Sequence, residues 1–341
     1  MKKWKKIVGI ILAAVIAAAS LAGCGSGDSG KQAAQGISES GAAASTNGGA
    51  SAKDSSSSEQ KVIHLGYLPI THALALFAEK DLLDDENGDI KIELEKFSSW
   101  SDLTDALNAG RIDGASVLIE LAMSAVSQGI DLKAVALGHK DGNVIVVSDE
   151  IQSAADLKGK TFAIPHTQSS HNILVHDMLE ENGLSISDVN VVQLAPSEMP
   201  SSLASGSIDG YCVAEPFGAQ AVTQGFGHVL YDSEELWDNS LCCGLVLTGS
   251  FAKNDPETTE LLIEKYREAG NSLDQEKAEQ IAEEYLGQDS NVLEQSLEWI
   301  HFDDLEITEE AYQTLVDKVE AYGINENPPA YEEFVYQPTE K

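Results

Sequence analysis

The stretch "PHTQSSHN", residues 165–172, concentrates hydrogen-bonding chemistry in a few positions. If a helix starts here, its backbone amides form a receptor for an anion or a carbonyl without any net charge. Thr167, Ser169 and Ser170 add hydroxyls, and His166 and His171 add imidazoles. Thr71 and His72 stand at a second helix start, after "KVIHLGYLP". Asn143 closes "HKDGN" with an amide that can donate and accept. Trp100, in "FSSW", offers contact area at little rotamer cost. This is chemistry for holding a small molecule. No nucleophile elbow or phosphate loop accompanies it, so no catalytic residue and no cofactor are expected.

Cysteine and histidine are read as bystanders. Cys212, Cys242 and Cys243 make neither a disulfide framework nor a zinc spacing. They are expected as buried small hydrophobes, with Cys242 and Cys243 on opposite faces of a strand. The eight His are scattered, and no metal site is expected.

The elements that must position these residues follow from periodicity. Residues 61–69 and 89–97 alternate as strands, with a helix capped by Thr71 running through Lys80 between them. Ser101 is the expected N-cap of the next helix, which Gly110 ends. From 151 the scheme starts again: a strand at 161–166, a helix at 169–183, and further strand and helix. "DALNAGRIDGASV" and "SSLASGSIDGYCV" match at Leu, Gly, Ile, Asp and Gly, 96 residues apart. They read as one unit of helix, glycine stop and strand, used once in each of two α/β lobes. Asp113 and Asp209 are expected to bind nearby backbone rather than ligand. After 250 come four amphipathic helices.

The ends and the charge bound the cellular setting. Four Lys in the first six residues precede an apolar run, Ile7–Ala19, too short to span a bilayer as a helix of roughly 20 residues. "LAGC" follows and ends at Cys24. Gly25–Gln60 is Gly, Ser and Ala-rich, a tether that cannot bury enough surface to order itself. The formal net charge of −35 excludes nucleic acid and an anionic membrane surface as electrostatic partners.

"GYLPITHALALFAEK", "FSSWSDLTDALNAGRIDGA" and "APSEMPSSLASGSIDGYCVAEPFGAQAV" resemble the nitrate/sulfonate/taurine/bicarbonate-binding family of ABC-importer substrate-binding proteins, near relatives of pyrimidine-precursor binders of thiamine synthesis. "LAGC" resembles a lipobox, which implies lipidation of Cys24 after cleavage of residues 1–23 and anchoring on the extracytoplasmic face of the cell membrane. The family resemblance implies an α/β, two-lobed type II periplasmic-binding-protein fold with a hinge and a helical C-terminal extension. Lobe 1 would be 61–147 plus 246–341, and lobe 2 would be 148–245. It implies a monomer that captures a sulfonate, another small oxyanion or a pyrimidine-like compound for a permease and its ATPase. By the same resemblance Trp100 and His171 line the ligand, Asn143 stands where the nitrate branch has Gln, and Glu215 is either a ligand contact or a structural hydrogen bond. Cys243 takes the place of the Lys that neutralises nitrate there, which argues against nitrate. A synthase-like enzyme of the same fold and a ligand-presenting sensor are the alternatives.

Overall fold

The computed structural model describes residues 60–238 and 240–338. Cys24, the segment before it and nearly all of the tether lie outside the described residues.

The alternating stretches form strands as expected. β1 (Lys61–Tyr67), β2 (Ile90–Lys96), β3 (Gly114–Leu118) and β4 (Leu132–Leu137) are separated by α1 (Leu74–Glu86), α2 (Trp100–Asn108) and α3 (Ile119–Ser127). The short β5 (Lys140–Asp141) leads into β6 (Asn143–Val147). The second half then runs β7 (Thr161–Ile164), α4 (Ser170–Glu181), β8 (Asn190–Gln193), α5 (Met199–Ala204), β9 (Gly210–Ala214), α6 (Phe217–Thr223), β10 (His228–Asp232) and α7 (Ser233–Leu236). β11 (Cys243–Thr248) follows.

Two five-stranded sheets result, ordered β2-β1-β3-β11-β4 and β8-β7-β9-β6-β10. Their plans match. In each, three parallel strands lie side by side and the fourth position is an antiparallel strand. That strand comes from the other half of the chain. β6 follows the first set of strands but pairs with β9 and β10, and β11 follows the second set but pairs with β3 and β4. The divisions read at Ser148 and Val246 therefore shift. The whole of β6 belongs to the second sheet and the whole of β11 to the first, so the first crossing is at 138–142 and the second ends before Cys243. An apolar run identifies a strand, but it does not say which sheet receives it.

The repeated phrases do the same work twice. Gly110 and Gly206 end their helical turns at φ 64° and 72°, where a side chain would be strained. Asp113 accepts from the His64 amide (2.9 Å) and its own amide donates to the His64 carbonyl (2.8 Å). Asp209 makes the identical pair with Thr161, at 2.8 and 2.7 Å. Both Asp are scaffold.

Two helix starts differ from expectation. Ser99, not Ser101, caps α2 by accepting from the Asp102 amide (3.2 Å). Thr71 caps nothing; it opens a 3-10 turn, Thr71–Ala73, ahead of α1. The C-terminal part is helical: α8 (Gly249–Asn254), α9 (Pro256–Asn271), α10 (Gln275–Leu286), α11 (Ser290–Leu297), α12 (Glu309–Ala321) and α13 (Tyr331–Phe334), with β12 (Ile300–His301) pairing β5. α9 and α10 pack on α1, whereas α11 packs on α6. Lys318 and Tyr322 reach Asp177 of α4 at 2.8 and 2.6 Å. The extension therefore ties to helices of both sheets. Among the described residues no helix is long and apolar enough to cross a membrane.

Candidate functional site

Parallel strands deliver their carboxyl ends, and the antiparallel strands their starts, to one edge of each sheet, where ligands bind in open α/β sheets. The residues placed there are His72 beyond β1, Glu120 beyond β3, His139 beyond β4, Asn143 opening β6, Ser170 and His171 opening α4, and Cys242 and Cys243 at β11. All are buried.

His72 Nε2 donates to the Gly142 carbonyl at 3.0 Å, and His139 Nδ1 donates to the Asp141 carbonyl at 2.7 Å. A carbonyl can only accept, so these nitrogens carry the protons. Burial, with His139 alongside, keeps His72 below the usual imidazole range and hence neutral. His72 Nδ1 is then bare and lies 3.7 Å from Cys242 Sγ. His139 Nε2 has no hydrogen-bond partner. The two rings stack with centroids 3.5 Å apart. Cys242 Sγ is also 3.7 Å from Asn143 Oδ1 and 3.8 Å from Cys243 Sγ. The two thiols thus converge instead of pointing to opposite faces, because Cys242 precedes the strand and does not follow its alternation.

Burial works to push the Cys242 thiol up. The Cys243 S–H and the His72 and His139 rings outweigh it and hold Cys242 well below the ordinary thiol range. Burial and the adjacent sulfur push Cys243 up. Glu120 is driven well above the carboxylate range by burial and by the Cys242 charge, against its own amide and that of Ser170. Burial takes His171 down to about 4. The bare His72 Nδ1 that faces Cys242 Sγ can accept from an S–H there and has no proton to donate to it. Among the described residues no Lys or Arg is buried.

Several polar atoms here lack any partner: Asn143 Nδ2, Ser170 Oγ and both His171 nitrogens. An orphaned buried donor or acceptor costs about 1–3 kcal/mol, so the set marks a place built to be completed from outside. Trp100 Nε1 is likewise buried and unpartnered.

The remaining expected residues have other duties. Thr167 is exposed, and its amide donates to Gln193 Oε1. Ser169 caps α4, accepting from the Asn172 amide at 3.2 Å and donating to the His166 carbonyl at 2.7 Å. Thr71 donates its hydroxyl and its amide to the Glu215 carbonyl (3.0 and 2.9 Å), joining the two halves. The Glu215 carboxyl, pushed up to about 8 by burial, accepts from the Ala219 amide. His139 and Cys242 stand in this cluster and were not among the residues expected from the sequence. His139 lay inside "HKDGN", and a thiol beside Cys243 was the available signal.

An opening of about 430 Å³ between Leu68, Ile70, Phe97, Pro196 and Phe217 lies where residues after β1 and β2 face residues leading to α5 and α6.

The NMT1-like family matches residues 56–287. A structure described as the ligand-binding component of an ABC-type import system from Staphylococcus aureus with zinc bound is 37% identical, with a TM-score of 0.77, covering 81% of this chain and 97% of that one. The alkanesulfonate-binding protein SsuA of Xanthomonas axonopodis, bound to MOPS, shares the fold: 22% identity, TM-score 0.68, 78% and 94% covered. The nitrate import ATP-binding protein NrtC of Synechocystis is 26% identical over 245 residues, 66% of this chain. The chain spans only 37% of that relative's length. The fold is that of periplasmic binding proteins, and these relatives are named as components of import systems or as binding proteins.

Proposed function

The chain belongs to the NMT1-like family, and from that premise we propose that it is the extracytoplasmic solute-capturing component of an ABC importer. The two sheets are the cores of two lobes, hinged at 138–142 and before Cys243, that close on cargo and present it to a permease and its ATPase. The observation that carries this reading is the set of orphaned polar atoms buried where the two sheets meet. A monomer held by a lipid on Cys24, with the tether as spacer, fits the leader sequence.

The cargo is a neutral, nitrogenous heterocycle of pyrimidine-like size. The waiting atoms include donors and acceptors, as such a ring requires. With no Lys or Arg buried among the described residues and the Glu120 carboxyl driven up by burial, nothing here offsets the charge of nitrate or a sulfonate. Trp100 and His171 would line it.

A thermal-shift screen of nitrate, bicarbonate, alkanesulfonates, taurine and pyrimidines tests this. Ligand at 100 times its Kd stabilises by about 2.7 kcal/mol, so the cargo raises the unfolding midpoint with concentration. Trp100→Ala and His171→Ala should each weaken the response. A response to oxyanions alone, or variants that respond like wild type, refutes the cargo and the site. Time-dependent product formation refutes a binding-only role.

A further inference from the structure

We propose that His72, His139, Cys242 and Cys243 form a resident centre for a d10 ion, zinc(II) or copper(I), held on the first sheet alone. One ring nitrogen from each His and both sulfurs lie within 4.8 Å of one another. A tetrahedral zinc with Zn–S of about 2.3 Å and Zn–N of about 2.0–2.1 Å needs a sulfur–sulfur edge of about 3.8 Å and sulfur–nitrogen edges of about 3.5–3.6 Å. The Cys242–Cys243 edge is 3.8 Å and the Cys242–His72 edge is 3.7 Å. These two edges match that tetrahedron, and the remaining separations, up to 4.8 Å, would have to close by about 1 Å on metal binding.

The surroundings are built for the same purpose. A metal-bound His donates its other N–H to a carbonyl or carboxylate, which fixes the ring and the tautomer. His72 does so to Gly142 and His139 does so to Asp141. Both rings are thereby left with a bare nitrogen turned toward sulfur. Two thiols and two imidazoles select a soft or borderline ion over magnesium or calcium.

The four residues share an origin. His72 follows β1, His139 follows β4, and Cys242 and Cys243 lead into β11, all strands of the first sheet. Under the importer reading, on which this part rests, cargo must be let go when the lobes part. An ion bound entirely by one lobe would stay. It is therefore a fixture of the cleft floor, and Asn143, Ser170 and His171 approach it from the second sheet to bind cargo.

The test uses the full chain, stripped by chelation and kept reduced with a phosphine. One zinc per chain should bind. Cobalt(II) should give a thiolate-to-metal charge-transfer band and the intense visible absorption of tetrahedral cobalt. Cys242→Ser combined with Cys243→Ser should abolish that band. His139→Ala should weaken zinc by more than about 100-fold, beyond the 10–100-fold that loss of an outer partner costs. Asn143→Ala and His171→Ala should bind zinc like wild type. Absence of stoichiometric binding, or a band that survives in the double serine variant, overturns the centre. An equal loss in Asn143→Ala overturns its placement on one sheet. The wild-type cobalt spectrum decides the ligands even where a variant does not fold. The importer reading fails separately, if zinc-loaded chain responds to no cargo in the thermal screen.

Discussion

The two sheets share a plan and differ in what they carry at its rim. Each places an antiparallel strand beside its third parallel strand, and that strand opens at Asn143 in the second sheet and at Cys243 in the first. Asn143 pairs with Ala214 and Cys243 with Leu118, positions related by the same 96-residue offset as the repeated phrases. The scaffold is held constant, from the reciprocal Asp bonds to the glycine stops. The rim is free to vary. The first sheet has gathered thiols and imidazoles, and the second has gathered an amide, a hydroxyl and an unpartnered imidazole. Duplicated architecture thus lets one half specialise in soft donors while the other specialises in hydrogen bonds.

The comparison can be broken most severely at Glu215. Its counterpart under the offset is Ile119, so only the second sheet buries an acid at this point. The folded carboxyl holds its proton up to about 8, against the ordinary glutamate value of 4.5 in the exposed, unfolded chain. A raised carboxyl stabilises fully below the lower value and loses that contribution as pH rises through the upper one. Between those pH values the contribution falls by about 5 kcal/mol. Urea unfolding across this window should show wild type losing stability and Glu215→Gln losing much less. Parallel profiles would mean that Glu215 is ionised in the fold.

A smaller contrast lies in the strand glycines. A Cβ on Gly114 would stand 2.7 Å from the Val246 carbonyl oxygen and 2.5 Å from Leu247, whereas on Gly210 its three nearest neighbours are side-chain atoms of Phe162 and Val147, from 2.9 Å. Backbone cannot give as side chains can. Gly114→Ala should cost about 2–3 kcal/mol and Gly210→Ala about 1 kcal/mol in denaturant unfolding. Equal costs would erase the distinction.

The smallest difference concerns the paired Asp. Asp209 serves a half-buried amide and also binds Lys160 at 3.1 Å, whereas Asp113 serves an exposed one. Asp209→Ala should cost about 1–2 kcal/mol and Asp113→Ala about 0.5–1 kcal/mol by calorimetry. A larger loss at Asp113 would reverse this ranking.

What the sequence disclosed was local. The "IDG" phrases, the glycine stops and the helix starting at Ser170 are set by neighbours a few residues apart, and their roles could be read from spacing. His72, Asn143 and His171 were named from element ends and Cys243 from the resemblance, and all four are buried at the rim of the sheets. The cluster itself was not legible. His72, His139 and Cys242 lie on separate segments, and only the pairing of β11 with β3 and β4 brings them together. The same kind of pairing puts β6 in the second sheet and β11 in the first, which periodicity did not reveal. Spacing alone did not separate Thr167, which is exposed, and Ser169, which caps α4, from the buried and unpartnered Ser170 and His171 beside them.

The exchanged strands also set an order of assembly. As the chain emerges from its N-terminus, the second sheet has all five strands once Asp232 is present. The first sheet begins earlier yet must hold a gap between β3 and β4 until Thr248 arrives. The half begun first is therefore finished last, and the segment that finishes it brings Cys242 and Cys243. Until those residues arrive, His72 and His139 wait beside an open slot, so a truncation before β11 would leave a complete second sheet beside an unfinished first one.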